Sequence, residues 1–124
     1  MAGHAAQIIV DVYRHSVAFA PEDLPYVDRA LTDLAATGEL ETKAISIQIF
    51  GCLLGEVMVR SDGARWTEFD MEMTTGFGVP VGLILPNGLL ANPIGAAFKL
   101  AYGGPERSVV LFRQAALGGS PPNP

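Results

Sequence analysis

Residues 51 to 73 read GCLLGEVMVRSDGARWTEFDMEM, and this stretch decides the predicted fold because two periodicities meet in it. Its first ten residues are apolar apart from Glu56 and Arg60, which is typical of a buried helix. Its last eight residues alternate along the chain, which is typical of a strand. Between them, Asp62-Gly63 predicts a sharp turn, since glycine takes positive φ without steric cost. The stretch therefore predicts a helix, a turn and a strand in that order.

The helix is predicted to begin near residue 41 and to end near residue 60. Its apolar stripe is formed by Ile47, Phe50, Gly51, Leu54, Val57 and Met58. Gly51 and Gly55 lie on adjacent turns of one face, and each lowers helix propensity by roughly 1 kcal/mol relative to alanine. A glycine pair at that cost predicts that another backbone approaches this face closely.

The strand is predicted to run from Trp66 to Met73, with side chains pointing alternately to its two faces. One face carries Phe69, Met71 and Met73, and we expect it to pack on the stripe of the helix. The opposite face carries Trp66, Glu68, Asp70 and Glu72, which together we call the acidic stripe. We expect the acidic stripe to point to solvent.

Two helices are predicted before residue 41. Residues 5 to 14 have the apolar spacing of a helix, although the β-branched run IIVDV leaves a strand as the alternative. A helix over about residues 23 to 36 has clearer limits, because Asp23 can cap it, Pro25 suits its first turn and Gly38 can end it.

A meander of strands and one more helix are predicted after residue 73. The residues 79 to 85 form a second strand, and a Pro-Asn-Gly turn leads into residues 89 to 91. The helix over residues 93 to 102 has an asparagine cap, a proline at its first position and a Gly-Gly end. Residues 107 to 114, RSVVLFRQ, are predicted to form the last strand.

These elements predict a single α+β domain over residues 1–117 and a flexible C-terminal tail over residues 118–124. Two to three N-terminal helices are expected to pack on a small antiparallel sheet, with one further helix before the last strand. A length of 124 residues and a hydrophobic content of 49% suffice for one core.

Charge and composition exclude several partners. Eight basic and thirteen acidic residues give a formal net charge of -5, which repels a phosphate backbone, so no nucleic-acid partner is predicted. The N-terminus has no basic leader and its apolar run is broken at Asp11, and no membrane span is predicted. Cys52 alone cannot form an internal disulfide and is interpreted as an inert core thiol. A cytoplasmic protein is predicted.

The motifs that usually carry chemistry are missing from the sequence. There is no Gly-rich phosphate loop, no G-x-S-x-G and no H-E-x-x-H. His4 and His15 are too far apart for the i, i+4 spacing of two ligands on one helical face, and a single cysteine cannot complete a closed Cys/His zinc site, so no metal site is predicted. His15 is interpreted as a capping or surface residue, with a general base as the alternative. No catalytic residue and no cofactor are predicted, which does not favour an enzyme.

The acidic stripe is the sharpest candidate site. A tryptophan beside carboxylates can anchor an Arg- or Lys-rich partner, since the indole supplies buried area and the acids steer the approach. Trp66, Glu68, Asp70 and Glu72 are therefore predicted to bind another, basic protein. The alternative is a solvated outer face of the sheet with the indole packed under a loop.

A second candidate is a pocket near Glu56. Arg60 follows at i+4, which predicts a structural salt bridge; the alternative is a carboxylate held beside a pocket. That pocket would include Trp66 and the segment GFG at residues 76–78, and hence Phe77. The GFG segment can also be a bulge that bends the sheet.

LLGEVMVRSDGARW, the proline-containing strand region after it, NPIGAAFKLAYGG and a short last strand together resemble the uncharacterised bacterial domain-of-unknown-function family 3806 and its relatives. That pattern has a helix with a Leu-Gly core, a Gly-x-x-Trp strand start and a later proline-to-lysine helix ending in glycine. The matching positions are Leu54, Gly55, Glu56, Gly63, Trp66, Pro93, Lys99 and Gly103. The resemblance covers about residues 20 to 113 and implies the fold without implying an activity.

Three functions are compatible with these observations. The first is a non-enzymatic protein-binding domain, an acidic adaptor or immunity-type inhibitor of a basic partner. The second is a small-molecule-binding domain or enzyme with a pocket near Glu56 and Trp66. The third is a secretion-chaperone-like homodimer, suggested by size, acidity and the order of helices and strands.

Overall fold

A computed structural model of the chain describes residues 2–37 and 43–118. The elements in chain order are α1 (Ala2–Tyr13), α2 (Leu24–Ala36), α3 (Ala44–Asp62), β1 (Arg65–Glu68), α4 (Met71–Phe77), β2 (Val81–Ile84), β3 (Leu90–Ala91), α5 (Pro93–Gly103) and α6 (Val109–Ala116). Short 3-10 turns over Pro21–Asp23 and Pro105–Arg107 precede α2 and α6. The described chain is mainly helical with a small antiparallel sheet, as the α+β prediction requires.

Helix α3 lies at the centre of the core and packs against α1, α2 and α5. Its fully buried side chains include Ile47, Leu53, Leu54, Val57 and Met58. Among the described helices, α3 alone has the length and apolar composition of a membrane span, but half of that window is buried inside the protein. Packing against three neighbouring helices accounts for its apolar character.

The glycine pair of α3 makes the close approach that its position predicts. A Cβ at Gly51 would lie 2.6 Å from the Cα of Ile94, at the start of α5. A Cβ at Gly55 would collide with the indole of Trp66. The two glycines therefore admit a backbone and an aromatic ring to the surface of the central helix.

The helix predicted over residues 5 to 14 is confirmed as α1. Ala5 and Ile9 are fully buried against α3, so packing of one helical face outweighs the β-branched run as a determinant of local structure. The helix predicted after Asp23 is confirmed as α2, while its predicted end at Gly38 lies outside the described residues.

The sheet has the predicted meander order. β1 pairs antiparallel with β2, from Arg65 opposite Ile84 to Glu68 opposite Val81, and β2 pairs with β3. A turn over residues 86–88 joins β2 to β3, with Gly88 at a φ of 86°. Within the predicted residues 79 to 85, a strand is confirmed over Val81–Ile84, and the hairpin prediction is confirmed.

The strand predicted over Trp66 to Met73 is wrong beyond Glu68. Asp70 caps α4 by accepting a hydrogen bond from the backbone N–H of Met73 at 2.8 Å, and the chain turns into a helix. Met71 is 88% exposed, so the expected apolar sheet face does not form. The helix cap outweighs the alternating pattern because it satisfies an N–H group that the helix itself leaves unpaired.

The prediction of a last strand over residues 107 to 114 is also wrong, since residues 109–116 form α6. Ser108 caps this helix by accepting from the N–H of Val110 at 3.1 Å. The predicted helix over 93 to 102 is confirmed as α5, but it follows the sheet, and no strand comes after it within residues 104–118. Most of the predicted tail, residues 119–124, lies outside the described residues.

Candidate functional site

The acidic stripe is not a continuous ribbon in the structure. Trp66 and Glu68 lie on β1, Asp70 is the cap of α4, and Glu72 lies in its first turn. All three carboxylates are on exposed residues, and none forms an ion pair with a base of the described chain. The prediction of an exposed acidic segment is correct, whereas its strand geometry is wrong for the reason given above.

Trp66 is anchored to α3. Its indole covers Gly55, and its Nε1–H donates to Oε2 of Glu56 at 3.3 Å. The side chain is 39% exposed, so one part of the ring still faces solvent. A small apolar hollow of about 320 Å³ beside the ring is lined by Cys52, Trp66, Thr67, Glu68, Val81 and Ile94.

The salt bridge predicted for Glu56 is confirmed. Nε of Arg60 lies 3.8 Å from Oε1 of Glu56, at the i,i+4 spacing. The guanidinium also lies over the ring of Phe19, 4.1 Å from its centroid. Glu56 thus joins α3 to β1, while Arg60 joins α3 to the segment before α2. Glu56 does not line the larger groove that contains Phe77. Neither this groove nor the hollow beside Trp66 is lined by both Glu56 and Phe77, so neither of them joins the two residues in one pocket.

The larger groove has a volume of about 990 Å³ and is open to solvent. Its walls are the end of α4, strand β3, helix α5, the turn before α6 and α6 itself. The apolar lining consists of Phe77, Val79, Leu90, Ala91, Ala96, Phe98, Leu111, Phe112, Ala115 and Ala116. Phe77 and Leu90 are 39% and 38% exposed and Leu111 is 48% exposed, so the groove presents large apolar side chains to solvent. We call it the α4–α6 groove.

Asn92 sets one end of this groove. Its side-chain oxygen accepts from the N–H of Gly95 at 2.8 Å and so caps α5. Its side-chain NH₂ donates to the carbonyl of Phe77 at 3.1 Å. One residue therefore holds the end of α4 against the beginning of α5, which brings the aromatic ring of Phe77 to the groove.

Asp28 and Asp62 set the opposite wall. Oδ1 of Asp28 accepts from the N–H of Val109 at 2.6 Å, and its Oδ2 accepts from the hydroxyl of Ser108, so α2 caps α6 across 81 residues of chain. Asp62 accepts two hydrogen bonds from Arg113, at 2.7 and 2.6 Å. This carboxylate raises the pKa of Arg113 above its ordinary value. Both ends of α6 are thereby fixed to other helices.

Two cations line the α4–α6 groove. Lys99 lies on α5 and Arg107 in the turn before α6, and both are exposed. Neither forms an ion pair with an acid of residues 2–37 or 43–118. Glu106 is the single acidic residue of the lining. The groove therefore combines apolar walls with an excess of positive charge, in a chain whose net charge is -5.

Sequence reasoning missed this groove. The sequence pattern places Leu111 and Phe112 on the predicted strand over residues 107 to 114, and it does not bring Lys99 near them. The local signal for α6 is Ser108 before an apolar run, which is a weak cap signal against two adjacent valines. Its second cap, Asp28, is remote in sequence and cannot be recognised locally.

The other candidate residues, Cys52 and His15, lie in surroundings that suit structural roles. Burial raises the pKa of Cys52, which lowers its thiolate fraction at neutral pH and agrees with an inert thiol. Nε2 of His15 lies 2.7 Å from Oδ1 of the buried Asp23, and its ring stacks on Tyr26 at 3.9 Å between centroids. Within the described residues, no group of three His, Cys, Asp or Glu side chains could hold a metal ion.

Comparison with known proteins yields no relative. No family model matches the chain, and searches of curated proteins and solved structures give no significant match.

Proposed function

We propose that the protein binds a small apolar molecule in the α4–α6 groove. The observation that carries the proposal is a cleft of about 990 Å³ whose lining is mostly aromatic and aliphatic. Binding sites for small molecules have volumes of about 300 to 1,000 Å³ and apolar walls with a few polar groups. This proposal keeps Phe77 of the predicted pocket and moves the site away from Glu56.

Helix α4 is the wall best suited to adapt to a ligand. None of its residues is buried. It is held by the hydrogen bond from Asn92 to the carbonyl of Phe77 and by stacking of Phe77 on Phe69, with 4.9 Å between ring centroids. Segments with few buried contacts open at low free-energy cost, so α4 can move to admit a ligand while α5 and α6 stay in place.

The binding test uses Nile red, an uncharged dye whose fluorescence rises in apolar surroundings. Ala115→Trp fills the groove from α6, where residue 115 is exposed and lines the cleft. Ala36→Trp makes the same change on an exposed position of α2. We expect wild type and Ala36→Trp to increase the fluorescence and Ala115→Trp to lose most of the increase. Equal fluorescence with the two variants would refute the proposal.

A second proposal is that the exposed segment from Glu68 to Glu72 contacts a basic protein. Met71 is 88% exposed and lies between two acidic residues, Asp70 and Glu72. A thioether surrounded by carboxylates suits a partner that offers both an apolar contact and positive charge. Trp66, which is partly exposed on the adjoining strand, can extend this surface.

Affinity capture from lysate at low and moderate salt tests the second proposal. The variant Glu68→Lys/Glu72→Lys leaves the capping residue Asp70 intact, and Asp11→Lys/Glu22→Lys changes the charge equally on other exposed residues. We expect a basic protein to bind wild type and the second variant, to elute with salt and to be lost with the first. A partner retained by both variants would exclude this surface.

The remaining predictions have direct tests. A homodimer predicts a sedimentation coefficient that rises with protein concentration, whereas a monomer gives a constant value. The resemblance to the domain-of-unknown-function family and the cytoplasmic location stay proposals, and cell fractionation tests the location.

A further inference from the structure

We infer that the ligand of the α4–α6 groove is an anionic amphiphile, a single apolar chain that ends in a carboxylate. This inference rests on the proposed function and specifies its ligand. Lys99 and Arg107 come from different elements, α5 and the turn before α6, yet both line the same apolar cleft. A ligand with an apolar body and an anionic end matches both properties of this surface.

The positive charge of the lining is not neutralised by the described chain. Glu106 offsets one of the two cations, but no carboxylate of the described residues lies within ion-pair distance of Lys99 or Arg107. Arg113, which is also on α6, is by contrast paired with Asp62 at 2.6 Å. Lys99 and Arg107 therefore keep donors available for an added anion.

The backbone of α6 does not provide the anion site. The N–H of Val109 donates to Asp28, and the N–H of Val110 donates to Ser108. These two donors at the helix N-terminus are thus already used, and α2 has placed a carboxylate there. Recognition of an anion must come from the two side chains, whose exposure makes the interaction moderate and dependent on salt.

Three probes of equal chain length separate charge from apolar contact. Decanoate and decyltrimethylammonium, each kept below its micelle concentration, and decanol, kept below its solubility limit, compete with Nile red for wild-type protein. We expect decanoate to bind about tenfold more tightly than decanol, since two exposed charge contacts contribute about 1.4 kcal/mol. The cationic probe should bind most weakly, and added salt should reduce the advantage of decanoate.

Matched charge variants locate the effect. Lys99→Gln/Arg107→Gln should reduce decanoate to the affinity of decanol while leaving decanol unchanged. Arg14→Gln/Arg65→Gln removes the same charge from exposed residues that do not line the groove, and should retain the advantage of decanoate. Circular dichroism melts of both variants verify that they are folded.

The outcomes distinguish the two levels of the proposal. Equal affinities for decanoate and decanol in wild type would overturn the anionic ligand and leave the apolar groove standing. Absence of Nile red binding would instead overturn the groove itself. If Lys99→Gln/Arg107→Gln lowered the affinity for all three probes equally, the two cations would only maintain the fold. Binding to phosphatidylglycerol vesicles without binding of decanoate would assign the cations to a lipid surface and overturn a free ligand.

Discussion

Asp23 is a structural hydrogen-bond acceptor, as its place in the sequence predicts, but it does not bind the groups that the sequence predicts. Its place before α2 predicts a helix cap, but its side chain makes no cap to that helix. Its oxygens instead accept from His15 Nε2 at 2.7 Å and from the N–H groups of Ala18 and Ala20, each at 3.0 Å. The carboxylate is 1% exposed. It holds the segment between α1 and α2 in place.

Replacing Asp23 by alanine should lower the free energy of unfolding by about 3 kcal/mol, because three buried or partly buried donors lose a charged acceptor. Urea unfolding followed by circular dichroism measures the loss. Asp11→Ala, on an exposed position of α1, is the control and should cost less than about 0.5 kcal/mol. A loss below about 1 kcal/mol for Asp23→Ala would contradict the assigned role.

Tyr13 should titrate late. Burial, and then the hydrogen bond to Asp33, raise its pKa from 10.0 to about 12. A raised pKa means that the native state holds the proton more tightly, so this contribution to stability is complete below pH 10 and is lost as pH rises through about 12. Phenolate absorbance should show one late phase that Tyr13→Phe removes. An unchanged titration curve, apart from the loss of one ordinary phase, would contradict the shift.

Gly51→Ala should destabilise the protein although alanine favours helices. The added Cβ would meet the backbone of Ile94, and the resulting overpacking costs about 1–3 kcal/mol or more against a propensity gain of about 1 kcal/mol. Gly3→Ala in α1 is the matched control, since a Cβ there meets nothing within 4 Å. Urea unfolding should show a net loss for Gly51→Ala only. Equal midpoints would exclude the close approach.

At the scale of elements, local sequence signals correctly predict the features that depend on residues close together in the chain. The salt bridge from Glu56 to Arg60 follows from i,i+4 spacing, and the boundaries of α5 follow from its own caps. The predictions are wrong for α4 and α6. An alternating pattern in α4 and β-branched residues in α6 favour a strand, whereas the capping residue before each segment favours a helix. Helix α6 is stabilised by a carboxylate from α2, so its sequence alone cannot decide between helix and strand.

Asp28→Ala should therefore loosen α6 more than it affects the rest of the protein. Loss of the bonds to Val109 and Ser108 should cost about 1–2 kcal/mol. Hydrogen exchange should increase across residues 109–116, and Nile red binding should weaken with it. Glu22→Ala, which is exposed and forms no ion pair within the described residues, should leave both unchanged. If hydrogen exchange in α6 were the same in Asp28→Ala as in wild type, the sequence of α6 alone would suffice to form the helix.

At the scale of the whole molecule, the sequence predicted the core better than the groove. A buried central helix follows from composition and period, because both are properties of one segment. The α4–α6 groove depends on α4, α5 and α6. The sequence pattern wrongly predicts a strand at the start of α4 and in α6, and it predicts α5 without its contacts to them. Trp66 and Glu56 do form a hydrogen bond, but the cavity that includes Phe77 arises only when α6 is a helix packed beside α5.

A ligand in this groove should stabilise the entire fold, since it binds the native state alone. Decanoate at ten times its Kd should add about 1.4 kcal/mol and raise Tm by about 5 °C for a chain of this size. Differential scanning calorimetry measures the shift. Ala115→Trp should show none, whereas Ala36→Trp should match wild type. A shift of equal size with Ala115→Trp would place the ligand elsewhere.

The bond from Asp28 to Val109 also orders events during synthesis. Its partners are 81 residues apart, so a growing chain that has not yet released residue 109 carries the acceptor without the donor. Such a chain can already assemble α1, α2 and α3, whose contacts are nearer in sequence. The cap of α6 can thus form only after residue 109 has been released, and the proposed ligand would meet a complete groove only on a chain whose translation has passed that point.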